Sequence, residues 1–313
     1  MLKVGVDSFG WYDPENILAS FEYIKECGFD SVDYGFGKQL GDGNTVAKEG
    51  IVETVFDKSI EEVLEFYRPL KEASEKTGVN ICQTHAPFPT WFNGLDEIND
   101  YFEMALDKCF AVCEYLGCPA IVIHPISRST FEKETDSNLT MFRRYIPLIK
   151  KYKGVKICIE NIFDRLPSKR VIEGRLSNAR DLAEIIDLLN EEAGGEYFGC
   201  CFDVGHAMLT HRDLNEFVKT LGDRLTVLHI HDNNGLDDQH TMPYACLDGT
   251  RHTVGDWDGF VDGLREIGYK GTICFETFRV LKIFPKDVHT EALKLISAIG
   301  HSWARRIEAP VEE

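Results

Sequence analysis

The chain has 313 residues, 43% of them hydrophobic, and a formal net charge of −18. This length suits one α/β barrel, so we expect a single domain spanning residues 1–313. The acidic balance would repel a phosphate backbone and argues against a nucleic-acid partner. No apolar run approaches the roughly 20 residues that cross a bilayer, and no export signal is readable, so we expect no membrane partner and a cytoplasmic location.

Short apolar runs alternate with amphipathic helical stretches along the chain, which indicates parallel strands joined by helical crossovers. Eight strands are predicted, at 3–9, 31–36, 80–86, 120–124, 156–161, 198–203, 225–231 and 272–277. Ser59 and Ser177 are predicted helix N-caps, and Gly28, Gly78 and a glycine pair at 194–195 are predicted helix ends. Eight strands and eight helices without a linker predict an α/β fold with a single (β/α)8 TIM barrel.

Three connections after predicted strands are too long for simple turns, at 37–58, 163–176 and 233–256. Loops that follow barrel strands lie at the catalytic face, where long loops act as lids or specificity walls. We therefore expect the first and third connections to face the substrate.

The ten cysteines contain no CxxC pair, and most lie inside apolar strand or helix patterns. We expect them to be reduced and buried as small hydrophobic residues. Cys200 and Cys201 are adjacent on a predicted strand, so their side chains should point to opposite faces of the sheet.

Carboxylates recur where predicted strands give way to loops. Glu160 ends the run KICIE, Asp203 ends CCFD, and Glu276 follows TICF. Burying any of them without a partner would cost several kcal/mol. Because the strands of a parallel barrel all end at one face, we expect these acids to meet at its mouth and bind a metal ion.

Histidines occupy equivalent places. His229 and His231 are two apart on one strand, so both leave the same face, and only one need bind the metal. His206 lies just past another strand, and His85 and His124 are each followed directly by a loop. A single histidine there is more often a hydrogen-bonded core residue, but three inward carboxylates nearby favour a place in the site.

Aromatic residues are also predicted at this rim. Aromatic faces stack on the C–H surface of sugars, although most aromatic side chains simply pack in a core. No dinucleotide-binding, Walker-type, nucleophile-elbow or kinase motif is present. The aromatic candidates are Trp11, Phe36, Phe88, Trp91, Phe92 and Trp257.

The ordered segments HAP, IHP, IEN, DVGH, HIHDN, DQH and FET resemble the sugar phosphate isomerase/epimerase superfamily, the xylose isomerase-like TIM barrels, which also contains endonuclease IV. The resemblance covers essentially the whole chain. For epimerase members it implies one divalent ion, Mn²⁺, Mg²⁺ or Zn²⁺, and an acid/base pair formed by Glu160 and Glu276. The metal ligands that it implies are Glu160, Asp203, His229 and Glu276. The further zinc ligands of endonuclease IV match His85, His124, His206, Asp238 and His240.

The resemblance thus implies a metal-dependent sugar or sugar-derivative isomerase or epimerase of carbohydrate metabolism, acting by proton transfer through a metal-stabilised enediolate. Gly235 stands where ketose 3-epimerases carry an arginine, so their substrate is not carried over. Under this hypothesis the residues that contact the sugar are His85, His124, His206, His231, Asp238, His240, Trp11 and Trp91. A homo-oligomer is compatible with the sequence.

Three alternatives remain open at this stage. A related lyase, dehydratase or C-glycoside-cleaving enzyme would use the same enolate chemistry. An endonuclease IV-like zinc phosphodiesterase would use several ions to clamp a phosphate, which the net charge disfavours. A non-catalytic sugar-binding barrel would leave the acids idle.

Overall fold

A sheet of eight parallel strands forms the centre of the protein. The computed structural model describes residues 1–41, 43–126, 131–174, 176–249 and 252–310. The strands are β1 (Val4–Asp7), β2 (Ser31–Gly35), β3 (Asn80–His85), β4 (Ala120–Ile123), β5 (Lys156–Glu160), β6 (Asp164–Arg165), β7 (Val171–Ile172), β8 (Phe198–Asp203), β9 (Leu225–His229) and β10 (Ile273–Phe275). The order in the large sheet is β10-β1-β2-β3-β4-β5-β8-β9, and β6 pairs with β7 in an antiparallel hairpin.

The sheet closes on itself through Ile230, which follows β9. Its N–H donates to the carbonyl of Cys274 at 3.0 Å, and its carbonyl accepts from the N–H of Glu276 at 3.0 Å. These bonds join the last strand of the order to the first, so the sheet is a barrel and the predicted TIM-barrel fold is confirmed.

Helices surround the barrel. They are α1 (Ile17–Glu26), α2 (Gly37–Leu40), α3 (Gly43–Glu49), α4 (Ile60–Thr77), α5 (Asp96–Leu116), α6 (Phe131–Ile149), α7 (Ala179–Ala193), α8 (Val204–Leu209), α9 (Leu214–Leu221), α10 (Trp257–Glu266), α11 (Val280–Ile283) and α12 (His289–Glu308). The helices α1, α4, α5, α6, α7, α9, α10 and α12 each follow one barrel strand, as the alternating pattern predicted. Within the described ranges, no helix is long and apolar enough to cross a membrane.

Local capping explains where two of these helices begin. The Ser59 hydroxyl accepts from the Glu62 N–H, and the Glu62 carboxylate accepts from the Ser59 N–H at 3.0 Å, so the predicted cap of α4 is confirmed. The predicted cap at Ser177 is wrong, because Asn178 accepts from the Asp181 N–H at 2.9 Å and caps α7. The Ser177 hydroxyl instead closes the preceding turn by donating to a backbone carbonyl.

Two apolar layers fill the barrel and the space beneath the helices. Cys200 belongs to the layer between barrel and helices, whereas Cys201 lies inside the barrel with Val122 and Val227. The adjacent cysteines therefore point to opposite faces, as predicted from strand geometry. All ten cysteines are free thiols and nine are buried, which confirms their expected role as small hydrophobic residues.

The long connections contain ordered elements that the sequence did not reveal. The first holds α2, α3 and a short 3₁₀ helix at Val55–Asp57, and the second holds the β6-β7 hairpin. The positions of these connections that lie outside the described residues are Asp42, Arg175, Thr250 and Arg251.

Candidate functional site

The strand ends of the barrel surround a cavity of about 630 Å³. Its position at the carboxyl ends of the strands is where barrels of this kind hold their active sites. Most of the predicted site residues share its wall, and those that do are His85, His124, Glu160, His206, Asp238, His240 and Glu276.

Four predicted metal ligands converge beneath this cavity. His229 Nδ1 lies 3.4 Å from a carboxylate oxygen of Glu160 and 3.5 Å from one of Glu276. Asp203, His229 and Glu276 each offer a ligand atom, and these atoms lie within 4.8 Å of one another. Three of the four side chains are buried, and Glu276 is partly buried at the cavity wall. Residues from four separate strand ends therefore face one small volume.

Several atoms of this group are buried without a hydrogen-bond partner. They are Glu160 Oε2, Asp203 Oδ2 and His229 Nδ1, of which Glu160 Oε2 has only ion-pair contacts, including those with His124 and His229. An unsatisfied buried polar atom costs about 1–3 kcal/mol, so three of them in one place require compensation. A divalent cation bound by carboxylates and an imidazole supplies it, and this donor set suits Mg²⁺, Mn²⁺ or Zn²⁺. The residues present therefore fit a metal ion.

Asp33 fixes the orientation of the His229 ring. Its Oδ2 lies 3.0 Å from His229 Nε2 and also accepts from the Gln83 amide at 3.1 Å. With Nε2–H donated to Asp33, Nδ1 faces Glu160 and Glu276 and can offer its lone pair to a metal ion that displaces its proton. A carboxylate that holds the far nitrogen of an imidazole is a common arrangement behind metal-binding histidines.

We expect Asp33→Asn to weaken divalent-metal binding by roughly 10–100-fold, because the amide no longer fixes the ring and its tautomer. Metal titration by calorimetry, together with thermal unfolding of the metal-free protein, measures the effect. Asp107→Asn is the control, since Asp107 pairs with Lys151 at the surface. Equal metal affinity in Asp33→Asn and the parent protein would exclude this orienting role.

His85 and His124 form a second group with Glu160. Their Nε2 atoms lie 3.0 Å apart, and His124 Nε2 lies 3.0 Å from Glu160 Oε2. His85 Nδ1 contacts the carbonyl of Ala86 at 2.6 Å, which leaves its Nε2 facing this group. The three residues therefore offer ligand atoms close enough for one cation.

A third group lies on the other side of Asp203. His231 Nε2 is 3.2 Å from Asp203 Oδ1 and 3.5 Å from Asp238 Oδ1, and His240 Nε2 is 3.1 Å from Asp238 Oδ2. The two imidazoles stack with centroids 4.0 Å apart. A Cβ at Gly205 would lie 1.9 Å from the His231 ring, so the glycine of DVGH is needed for this approach.

Carboxylates in and around this third group raise the pKa of His240 and of the neighbouring His206. Burial lowers the pKa of His206, but Asp203 and Asp238 outweigh burial and raise it to about 10. Burial likewise lowers the pKa of His240, and Glu276 and Asp238 raise it to about 9. Both rings therefore carry a proton at neutral pH when no cation is bound, and a metal ion that uses them must displace it.

Glu160 stays ionised for the converse reason. Burial raises its pKa, but the contacts with His124 and His229 outweigh burial and hold the pKa well below its usual value. A buried carboxylate kept ionised in this way is available as a base or as a metal ligand.

Comparison with known proteins agrees with this architecture. The family model described as a xylose isomerase-like TIM barrel matches residues 21–299. The chain belongs to the xylose isomerase-like TIM barrel family. The resemblance drawn from the sequence motifs is thereby confirmed.

Members and structural neighbours of this family cover nearly the whole chain. An uncharacterized protein of Sinorhizobium fredii is 26% identical over 314 residues, which cover 96% of this chain and 91% of that protein. A D-tagatose 3-epimerase-like protein superposes with a TM-score of 0.65 at 22% identity and covers 95% of this chain and 99% of its own. The 3-keto-D-glucoside 4-epimerase of E. coli superposes with a TM-score of 0.66 at 16% identity and covers 96% of this chain and 100% of its own. At these identities the two structures show a shared fold.

Two predicted substrate contacts lie elsewhere in this xylose isomerase-like barrel. Trp11 packs against Phe21 and donates its indole N–H to the Asp7 carbonyl at 2.6 Å. Trp91 is buried in the core beneath the Arg144 guanidinium. Neither side chain lines the cavity, and neither does the buried His231, so none of these three predicted substrate contacts lies in its wall.

Among the other predicted aromatic residues, Phe88 alone lines the cavity. Phe36 is fully buried, and Trp257 is buried in a stack with Trp303 at 5.5 Å between centroids. Strand-end position did not distinguish these core residues from cavity residues. The remaining aromatic side chains of the wall are Phe9, Phe163 and Phe278, which sequence reasoning missed.

The long connections contribute unequally to the cavity of this family member. The third supplies Asp238 and His240, as expected, and the second supplies Phe163. No described residue of the first connection lines the cavity. Its Gly43 instead packs against the loop after β3, where the Gly43 N–H meets the Phe88 carbonyl at 3.4 Å.

Asn161, the last residue of IEN, links β5 and β8, which carry two of the predicted metal ligands. Its amide donates to the Asp203 carbonyl at 2.8 Å and accepts from the Asp203 N–H at 2.7 Å. Its own carbonyl lies 2.8 Å from His206 Nδ1. The sequence could have indicated this role, because an amide side chain directly after a buried strand must form hydrogen bonds within the protein.

Proposed function

We propose that the protein is a divalent-metal-dependent isomerase or epimerase of a sugar or sugar derivative. The convergence of Glu160, Asp203, His229 and Glu276, with unpartnered buried atoms facing one volume, carries this proposal. The structural neighbours named as epimerases support it, since their barrels superpose over nearly the whole chain. A metal-centred cavity at the mouth of a barrel suits the binding of a small polyhydroxylated ligand.

The four converging residues would hold one Mn²⁺, Mg²⁺ or Zn²⁺ ion. Such an ion supplies Lewis acidity and a template for a carbonyl and its neighbouring hydroxyl. Glu160 and Glu276 would act as the acid/base pair, one removing the proton from the carbon beside the carbonyl and the other returning it. The lowered pKa of Glu160 keeps its carboxylate ionised, which is the protonation state that a base or a metal ligand requires. The abstraction leaves an enediolate, and the site of proton return decides the product.

The remaining polar groups of the wall would orient the sugar. His206 is charged, and its Nε2–H can donate to a hydroxyl oxygen of the ligand. The charged His240 ring already contacts Asp238 and the Glu276 carbonyl, so it positions Asp238 as an acceptor for another hydroxyl. Asp238 accepts from His240 Nε2 at 3.1 Å and lies 3.7 Å from His206 Nε2, an ion-pair contact.

Incubation of the metal-loaded protein with a panel of ketoses in deuterated water tests the proposal. We expect solvent deuterium at the reacting carbon of the accepted sugar. Turnover without solvent label in substrate or product would instead require a hydride shift or hydrolysis.

We expect His240→Ala to weaken sugar binding about tenfold, because Asp238 loses the charged hydrogen-bond donor that positions it, while the protein keeps near one metal per chain. Steady-state kinetics and elemental analysis on the same sample measure both values. His252→Ala is a suitable control, because His252 is exposed. Loss of a metal equivalent in His240→Ala would assign His240 to metal binding instead.

A second function is favoured by the two additional groups around His85 with His124 and around Asp238 with His240. A zinc phosphodiesterase resembling endonuclease IV would use all three groups to hold several ions and activate water. Two or three tightly bound zinc ions, together with cleavage of abasic DNA, would favour this function over the isomerase. One ion per chain and intact abasic DNA would exclude it.

A further inference from the structure

Four phenylalanine side chains line the cavity above its polar floor. Phe9, Phe88, Phe163 and Phe278, here called the phenylalanine collar, follow β1, β3, β5 and β10 respectively. They come from four separate loops, so the collar is spread around the mouth of the barrel.

Three of these rings each cover a histidine of the floor. Phe88 stacks on His124 with centroids 4.3 Å apart. Phe163 meets His206 edge to face at 5.0 Å, and Phe278 lies 4.5 Å from His240. Phe9 packs against Phe278 at 5.7 Å and thereby extends the same apolar surface.

The contacts with the histidines leave much of the collar uncovered. Phe88 is 52% exposed and Phe9 is 39% exposed, while Phe163 and Phe278 are partly buried. Apolar surface gathered at the mouth of a cavity marks a ligand-binding site. The C–H face of a sugar could cover one of these rings. A monosaccharide held by the histidines and carboxylates below would leave the other rings of the collar in water.

We propose that the ligand is a sugar derivative bearing a planar apolar substituent, such as a phenyl group, and that the collar binds this substituent. The assignment of the sugar end to the carboxylate floor rests on the proposed function, whereas the apolar end is assigned from the collar. The cavity of about 630 Å³ lies within the range of sites that enclose ligands larger than a monosaccharide.

The proposal is tested by calorimetric titration of the metal-loaded, full-length protein with methyl and phenyl β-D-glucopyranoside and with the matching galactosides. Within each pair only the substituent differs. We expect the phenyl glycoside of at least one pair to bind about tenfold more tightly or better, because burial of a phenyl ring is worth roughly 1.5–3 kcal/mol. Equal affinity within both pairs, or no measurable binding of any of the four, would overturn the proposal.

Variants of the collar locate the effect. Phe88→Ala and Phe163→Ala should each reduce the phenyl preference, and the methyl glycoside should lose little. Phe66→Ala is the matched control, because Phe66 is equally exposed at 52% but lies on α4, outside the cavity. Thermal unfolding identifies any variant that fails to fold, and the other collar variant then decides. An unchanged preference in the folded variants would overturn the proposal.

The binding readout also separates this proposal from the proposed function. A phenyl preference that depends on the collar, without hydrogen exchange on any ketose with or without a phenyl substituent, supports the collar site and overturns the isomerase. Exchange on a free ketose without a phenyl preference does the reverse.

Discussion

Asp203→Asn is expected to leave the purified protein without the divalent ion proposed here. Asp203 contributes a buried, unpartnered oxygen to the metal group, and its other oxygen accepts from the His206 N–H at 2.6 Å to cap α8. Asparagine can keep the cap while removing the charge, whereas Asp203→Ala removes both. Since groups behind a ligand already change metal affinity by roughly 10–100-fold, loss of a direct ligand should exceed about 100-fold.

Elemental analysis of the purified proteins measures this result. Asp213→Asn is the matched control, because Asp213 caps α9 by accepting from the Glu216 N–H at 2.9 Å and lies outside the cavity. It should retain the metal content of the parent protein. Equal metal content in Asp203→Asn, Asp203→Ala and the parent would show that the four-residue group does not hold the ion.

Glu160→Gln and Glu276→Gln are each expected to reduce hydrogen exchange between an accepted ketose and deuterated water by about 10²–10⁴-fold. Glutamine keeps the shape of the side chain but cannot remove a proton, and general acid–base catalysis contributes a factor of this size. Exchange is followed by NMR of the sugar at saturating metal.

Both residues also belong to the metal group, so the bound metal must be measured in the same samples. Glu192→Gln, at a surface ion pair with Arg143, controls for the change of charge. A variant with full metal content and parental exchange would remove that glutamate from the acid/base pair.

The architecture and the gathering of the acids could be predicted because both follow from one regularity. In a parallel barrel every strand ends at the same face, so a carboxylate at the end of any strand has a known neighbourhood before the strand order is known. Glu160, Asp203 and Glu276 fit this rule. Asp33 is also a carboxylate within a predicted strand, SVDYG. It lies behind His229, whose ring separates it from the cavity.

Depth along a strand explains what spacing alone left open. His229 and His231 were predicted to share a face, and only one of them was required for the metal. The structure gives each ring its own carboxylates: His229 lies beside Glu160 and His231 beside Asp203. Two residues correspond to one step of about 6–7 Å along a strand, enough to move a ring from one group to the next.

The aromatic residues were the least predictable part of the site. Trp257 and Phe163 both lie in sequence after a barrel strand. Trp257 begins α10 and its side chain is buried in the core, whereas Phe163 lines the cavity. The conformation of the connecting loop decides between these outcomes, and the periodicity of hydrophobic residues in the sequence does not predict that conformation.

The double hydrogen bond between Asn161 and the backbone of Asp203 has a consequence for how an ion enters. It extends the hydrogen bonding between β5 and β8 beyond their paired residues. The positions of the Glu160 and Asp203 carboxylates are therefore fixed by the sheet before a metal ion binds. Small zinc domains, in contrast, acquire their structure from the metal. Here the residues around the proposed metal site are already ordered without the ion. Chelation should therefore remove the ion while the barrel stays folded. Adding metal back should refill the site without refolding of the protein.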